Sequence, residues 1–472
     1  MPRTYLPDLR ALLSRGLALL AFLAALFLLP ALTGDPNLRA AVPLFLILAF
    51  AQLVPMFWSG RPDLFAPPVI MGLRDAFSTA GTLLGFFAAG ELRVDILGAM
   101  DPGETYRVVE RTLFALIVGQ VSYLLGYYSP LGLAFRNAFP KVAGLVWDRR
   151  RAIILGAIPA LAFVAAYAIF QSRVGVSLFD VTQLGAGKRV WRDDPTLSWM
   201  MRGVLIGFVP VFLYLTHTLA QRRTVTIVGA GALALIVGIL VLRLGQRGPT
   251  AYAVLTLVTV FHYMRRRIPV IVFAAVYVVG MGASNILYEW RTDPDTSPRP
   301  VDVTQITQAP LDVMTTHEGE RAHFGALAVV MDAFPDKHEF LLGQSWLYLL
   351  VLPIPRWLWP GKQLFFDWPD NGIVQKLVGV PTPTPYVGVL YANLSWLGVA
   401  LGMFLFGAFH RALYEWLIKF TPDRNVVLLY AMILHNFAPT LLAVAACTAT
   451  VLPVWVILRL IGRRPSPLPA RA

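Results

Sequence analysis

Long apolar runs alternate with short polar segments along almost the whole chain. Gly16–Leu32, Ala152–Phe170 and Ile268–Leu287 hold no charged residue and approach the roughly 20 residues needed to cross about 30 Å of hydrocarbon. The apolar residues come as continuous runs rather than as the one-sided stripe of an amphipathic helix. A backbone without water must satisfy its own hydrogen bonds, so such runs become helices. The pattern predicts twelve membrane-spanning helices, near 16–32, 40–58, 76–90, 112–128, 152–170, 203–220, 225–242, 249–264, 268–287, 387–412, 425–439 and 441–461. Asn436 and Pro439 mark either a turn between the last two or a kink in one longer helix.

The polar segments give the orientation. With the N-terminus inside, one side receives Arg61 and Arg74, then Arg136, Lys141 and Arg149–Arg150–Arg151, then Arg222–Arg223, Arg265–Arg266–Arg267, Lys419 with Arg424, and Arg463–Arg464. Short loops rich in arginine and lysine face the cytoplasm, so both termini are expected there. Lys188–Arg189 is the exception, in a longer outer loop. The other side carries Gln171–Arg202, the very short Arg243–Gly248, and a loop of about 100 residues, well beyond the roughly 15 at which a loop is usually functional or disordered. Its first part, Arg291–Pro310, is rich in Pro, Asp, Thr and Ser and reads as irregular. Its second, Leu311–Pro385, is rich in Trp, Phe, His and Leu and reads as folded. Phe340–Ile354 is apolar but too short to span, which predicts a re-entrant or interfacial helix. The chain thus divides into 1–287 with helices one to nine, 288–386 as a large periplasmic loop, and 387–472 with helices ten to twelve and a cytoplasmic tail.

Composition agrees. Of 472 residues 57% are hydrophobic and only 14% charged, where a soluble chain carries about 25% charged residues. The net charge of +13 does not mark a nucleic-acid binder, because the basic residues are spread among short loops between spans. The single cysteine, Cys447, lies inside an apolar run, which excludes an intramolecular disulfide and makes a zinc site implausible. The basic-then-apolar N-terminus lacks a small-residue cleavage site and is expected to be a retained first helix. There is no internal repeat between the halves.

The outer side also holds basic residues that the orientation rule does not require: Arg243 and Arg247 around a Gly-containing turn, Arg173, Lys188, Arg189 and Arg192, and Arg291, Arg321, Arg356 and Lys362 in the long loop. A guanidinium is a planar, permanent charge that matches phosphate oxygens in pairs. These residues either form a cationic concavity for a lipid-linked phosphate or pyrophosphate, or snorkel to headgroups and pair with Asp193, Asp194, Glu289 and Asp295. The segment from His317 to His323 concentrates His317, Glu318, Glu320, Arg321 and His323. On a helix Glu320 and His323 share a face, as do His317 and Arg321. That is either a general base beside a phosphate site or a solvated helical turn. Asp293–Pro294–Asp295 has the look of a metal-binding carboxylate pair but sits among turn residues. No P-loop, dinucleotide fingerprint, serine elbow or HExxH helix is present.

Phe340–Trp346 (FLLGQSW), Pro353–Lys362 (PIPRWLWPGK), the turn Gly245–Gly248 (GQRG) and Tyr391–Gly398 (YANLSWLG) followed by Gly402 and Gly407 resemble the bacterial oligosaccharide repeat-unit polymerases, the Wzy-type O-antigen polymerases. The resemblance covers about the C-terminal half, and the stretch around Arg356 is its most specific piece. It implies an all-α polytopic integral membrane protein with a fold like that of the C-type glycosyltransferases, located in the bacterial inner membrane. It implies an undecaprenyl-pyrophosphate-linked glycan as donor and a second lipid-linked unit as acceptor. It implies no cofactor, and a chain-length regulator is a further candidate partner. His323 and Glu320 are then candidate bases. Arg243, Arg247, Arg291, Arg321, Arg356 and Lys362 are candidate ligands of the pyrophosphate, with no metal expected. An O-antigen ligase, which transfers finished glycan to lipid A-core, remains an alternative that shares the large loop. So does a polysaccharide or lipid transporter, although helices one to nine show few of the buried ionisable residues a transport path needs.

Overall fold

The computed structural model of the protein describes residues 35–57, 63–89, 102–174, 207–221, 224–243, 247–270, 272–273, 320–351, 354, 358–359, 372–379 and 384–463. In chain order the elements are α1 (Pro36–Phe57), α2 (Pro67–Ala89), α3 (Pro102–Tyr128), α4 (Leu131–Phe135), β1 (Val146–Trp147), α5 (Arg149–Val174), α6 (Phe208–Gln221), α7 (Thr224–Arg243), α8 (Arg247–Met264), α9 (Glu320–Ala333), α10 (Gln344–Val351), α11 (Ile373–Val378), α12 (Tyr386–Phe420), α13 (Arg424–Asn436), α14 (Leu441–Ile461) and β2 (Gly462–Arg463). The expected first helix at 16–32 and most of the ninth at 268–287 lie outside the described residues.

Five described helices are long and apolar enough to cross a membrane: Pro36–Phe57, Glu104–Tyr128, Arg149–Arg173, Tyr386–Phe420 and Ala443–Ile461. Phe208–Ala220, Val228–Val241 and Thr250–Met264 are apolar but shorter. The described chain is an all-α membrane protein, with one departure. Val146–Trp147 and Gly462–Arg463 form a two-residue antiparallel strand pair, too short to leave any periodicity in the sequence.

Helix starts follow local chemistry. Proline opens α1, α2 and α3, where its fixed φ suits the first turn and its missing N–H costs nothing. Asp423 caps α13 by accepting from the amides of Asn425 (2.9 Å) and Val426 (3.2 Å). Asp148 does the same for α5 through Arg151 N–H (3.1 Å). Two helices begin well before their apolar runs. α2 starts at Pro67 rather than near 76, so Arg74 lies within a helix and not in the loop expected for it, beside Asp75 at 2.9 Å. α3 starts at Pro102 rather than near 112. In α3 helical hydrogen bonding continues through the polar turns that precede the apolar run, whereas in α2 Arg74–Asp75 interrupts an apolar stretch without interrupting the helix. Between α13 and α14 the chain turns at 437–440, which resolves the alternative at Asn436 and Pro439.

The helices fall into two compact units. The first combines residues 1–137, 310–414 and 438–444. Its core joins Leu38, Phe45 and Leu48 of α1, Phe86 of α2, Val108 and Leu113 of α3 and Phe324 of α9. The rings of Phe45, Phe86 and Phe324 form a triangle with centroids 5.8–6.1 Å apart. Residues of the long loop therefore pack among the helices. α3 and α12 meet through glycine: a Cβ on Gly126 would fall 1.9 Å from Phe404 O, and one on Gly407 would fall 2.0 Å from Tyr123 O. Close backbone contact of this kind is how helices associate in lipid, where burying apolar surface gains little.

The second unit combines residues 138–309, 415–437 and 445–472. α13 lies at its centre, with Asn425–Leu434 all buried. Asn425 ties the preceding loop to this helix: its amide group donates to the carbonyls of Val142 and Leu145 (both 3.1 Å), and its oxygen accepts from Trp147 Nε1 (2.6 Å).

Candidate functional site

The first unit contains a broken helix. α12 runs for 35 residues but leaves helical geometry at Leu394 (φ −135°, ψ 24°) and Ser395 (φ 56°, ψ −151°). Past the break 25 residues remain, about 37 Å at 1.5 Å per residue, so the span itself stays intact. The break frees carbonyls that a continuous helix would occupy. Ala392 O accepts from Leu341 N–H (2.9 Å) and Asn393 O from Leu342 N–H (3.0 Å). Non-helical backbone within an apolar helix persists where protein meets its freed polar groups, as residues 341 and 342 do here. Gly398 permits the geometry, since a Cβ there would lie 2.3 Å from Leu390 O.

Asn393 locks the arrangement. Fully buried, it accepts at Oδ1 from Gly343 N–H (3.2 Å) and donates from Nδ2 to Ser345 Oγ (2.8 Å) and Val389 O (2.8 Å). The turn it holds has two residues at positive φ, Leu342 (46°) and Gly343 (89°), and leads directly into α10. α10 is the short apolar helix expected between 340 and 354, and the described turn fixes its N-terminal end against the broken span.

Aromatic rings surround the break. The Tyr391 ring meets Trp396 edge-on at 5.2 Å and Phe340 at 5.7 Å, and Trp396 meets Phe114 at 5.5 Å. Phe340 in turn stacks on Phe334 at 6.4 Å. Beside them Arg111 of α3 donates to Asp336 Oδ2 (3.1 Å) and to the Tyr391 hydroxyl (3.4 Å). The Arg111 side chain is 27% exposed and that of Asp336 55% exposed. One guanidinium nitrogen serves the carboxylate and the other the hydroxyl, and the same pair of donors fits two oxygens of a phosphate. Aromatic faces next to a cation suit a sugar joined to a phosphate, although aromatics at a membrane interface also serve simply as an anchoring belt.

The structure spreads the residues expected from sequence. Glu320 and His323 both fall in the first turn of α9, three apart, as a shared face requires, and His323 is exposed. Arg321 is in the same turn; the side chains of Glu320 and Arg321 are outside the described set. From His323 to the end of α9 is about 15 Å along the axis, so His323 lies at the opposite end of this helix from Asp336 and Arg111. Arg243 ends α7 and Arg247 begins α8, on either side of the short turn, with their side chains likewise undescribed. His317, Arg291, Arg356 and Lys362 lie outside the described residues. Arg111, Asn393 and Ser345 are additions that the sequence did not single out. Arg111 directly precedes an expected span, and Asn393 interrupts an otherwise apolar and small-residue run, which are the signals that point to them.

Comparison with family models, with curated protein sequences and with solved structures gives no match for this chain.

Proposed function

We propose that the protein is a polymerase that joins undecaprenyl-pyrophosphate-linked oligosaccharide repeat units into O-antigen or a related surface polysaccharide. It would do so on the periplasmic face of a bacterial inner membrane, through a twelve-span C-type fold with both termini in the cytoplasm. The observation that carries this reading is the docking of residues 341–345 onto the break in α12. Gly343 and Asn393 are 50 residues apart, belong to two of the segments that bear the resemblance, and are hydrogen-bonded to each other. A shared local structure is what two such segments of one site would need.

In this reaction the acceptor hydroxyl oxygen bonds to the anomeric carbon of the donor glycan as the bond from that carbon to the pyrophosphate breaks. The hydroxyl proton passes to a base, for which His323 and Glu320 are the candidates. Negative charge grows on the departing pyrophosphate, and fixed cations stabilise it without metal. Arg247 and Arg356 are assigned this task, with Arg243, Arg291, Arg321 and Lys362 in support. Glycan chain-length analysis of a deletion strain tests the reading. Loss of a polymerase leaves surface glycan capped with a single repeat unit. Absence of attached glycan would mean a ligase instead, and units stranded inside the cell would mean a transporter.

A further inference from the structure

In the second unit α5 and α6 border a cavity of about 890 Å³. Its volume lies within the roughly 300–1,000 Å³ typical of small-molecule sites. Its character changes along the helices. Trp147 of β1 lies just before α5, Arg149 begins it, and His217 lies near the end of α6. Ile153, Gly156 and Leu213 continue the lining away from them. Ile153 is 63% exposed and belongs to the apolar surface that α5 shows with Ile154, Ile158 and Leu161. The cavity is therefore open to that surface.

The polar end is cationic and built. The His217 imidazole stacks almost parallel on the Trp147 indole, with centroids 5.5 Å apart and planes 12° apart. The Arg424 guanidinium lies over the same indole at 4.3 Å and donates to His217 Nδ1 at 3.1 Å. An arginine only donates, so this bond places the imidazole proton on Nε2 and leaves that nitrogen a donor too. The charges of both Arg149 and Arg424 act on His217. The neighbouring acids are engaged elsewhere: Asp148 pairs with Arg463 and caps α5, while Asp423 caps α13 and accepts from Gly144 N–H. Among the described residues that line the cavity there is no acid.

We infer that this cavity binds an anionic phospholipid. The phosphate head is held at Arg149 and the Arg424–Trp147–His217 stack, and an acyl chain lies along Ile153, Gly156 and Leu213. The arginine pattern of the chain puts this end of α5 in the cytoplasmic leaflet, where anionic lipids attract basic residues. The inference uses only the second unit's own residues and is independent of the polymerase reading.

Native mass spectrometry of the purified full-length protein in neutral detergent tests it. The protein is titrated with phosphatidylglycerol, with phosphatidylcholine bearing the same chains, and with inorganic phosphate. The first phosphatidylglycerol is expected to bind at least tenfold more tightly than phosphatidylcholine. Arg149→Gln should weaken it about tenfold or more, the worth of one charge-assisted hydrogen bond. Gly156→Leu should weaken it comparably with every charge intact: nothing lies within 4 Å of where a Cβ on Gly156 would sit, so the new side chain enters the cavity without displacing the fold. Equal affinity for the two lipids, or no change in either variant, overturns the inference. Loss in Arg149→Gln alone, or inorganic phosphate binding as tightly as the lipid, also overturns it by revealing a plain anion site.

Discussion

The lock at the broken helix gives the sharpest prediction. Asn393→Ala removes a buried side chain that bonds to the Gly343 amide, the Ser345 hydroxyl and the Val389 carbonyl. Asn393 and Ser345 are 0% and 2% exposed, so little water reaches the groups left behind. The stranded Gly343 amide costs about 1–3 kcal/mol and the lost bond to Ser345 about 1 kcal/mol more, which gives a loss of about 2–4 kcal/mol. Ser345→Ala is the matched control. Asn393 then keeps Gly343 N–H and Val389 O, and the loss should be about 1 kcal/mol, near the net value of one hydrogen bond. Thermal unfolding of the purified protein in detergent separates the two. Asn393→Ala should lower the midpoint by several degrees and clearly more than Ser345→Ala, and surface glycan should shorten with it. Equal shifts in the two variants, or none in Asn393→Ala, would refute the claim that Asn393 organises the break.

Four further outcomes follow from other parts of the molecule. Ser395→Gly should raise the unfolding midpoint, because a non-glycine residue at φ 56°, ψ −151° carries on the order of 1–3 kcal/mol of strain; a lower midpoint would contradict this. Gly407→Ala should sharply reduce the yield of monodisperse protein in size-exclusion chromatography, since its methyl group would meet Tyr123 O at 2.0 Å. The Arg151 amide that bonds to Asp148, helped by the Arg463 charge, holds this carboxyl below the usual carboxylate range. A depressed carboxyl stabilises the fold above its unfolded pKa and loses that contribution as pH falls through its folded value, so Asp148→Asn should lower the midpoint at pH 7 and make little difference in strong acid. Arg247→Lys and Arg356→Lys should each shorten glycan about 10-fold or more in elongation rate at matched expression, because an ammonium cannot bond two phosphate oxygens as a guanidinium does; wild-type length in both would mean headgroup anchoring instead.

Much of the helical framework was legible in the apolar runs. Helices at 149–174, 224–243, 247–264 and 441–461 begin and end within a few residues of the expected bounds, because in lipid a long uncharged run has no alternative structure. The N-terminal turns of α2 and α3 were not legible, since Arg74 or Glu110 inside a helix lowers hydropathy without interrupting hydrogen bonding. The strand pair at Trp147 was equally hidden: two residues have no period, and their partner lies over 300 positions away at Gly462. At the candidate site the sequence pointed to both halves of the contact, residues 340–346 and 391–398, but not to the contact itself. Hydrogen bonding between Leu341 and Ala392 is a tertiary fact that follows from the unwinding at Leu394. Arg111 escaped notice because an arginine at a span's end has an ordinary explanation in headgroup contact.

Elongation of a purified lipid-linked repeat unit by the purified protein, with and without chelator, tests the central claim most directly. The account predicts a ladder of undecaprenyl-pyrophosphate-linked oligomers growing by whole repeat units, unchanged by EDTA and strongly reduced by Arg356→Lys. A substrate that stays at one repeat unit under these conditions, or a ladder that vanishes with EDTA and returns with magnesium or manganese, would contradict it.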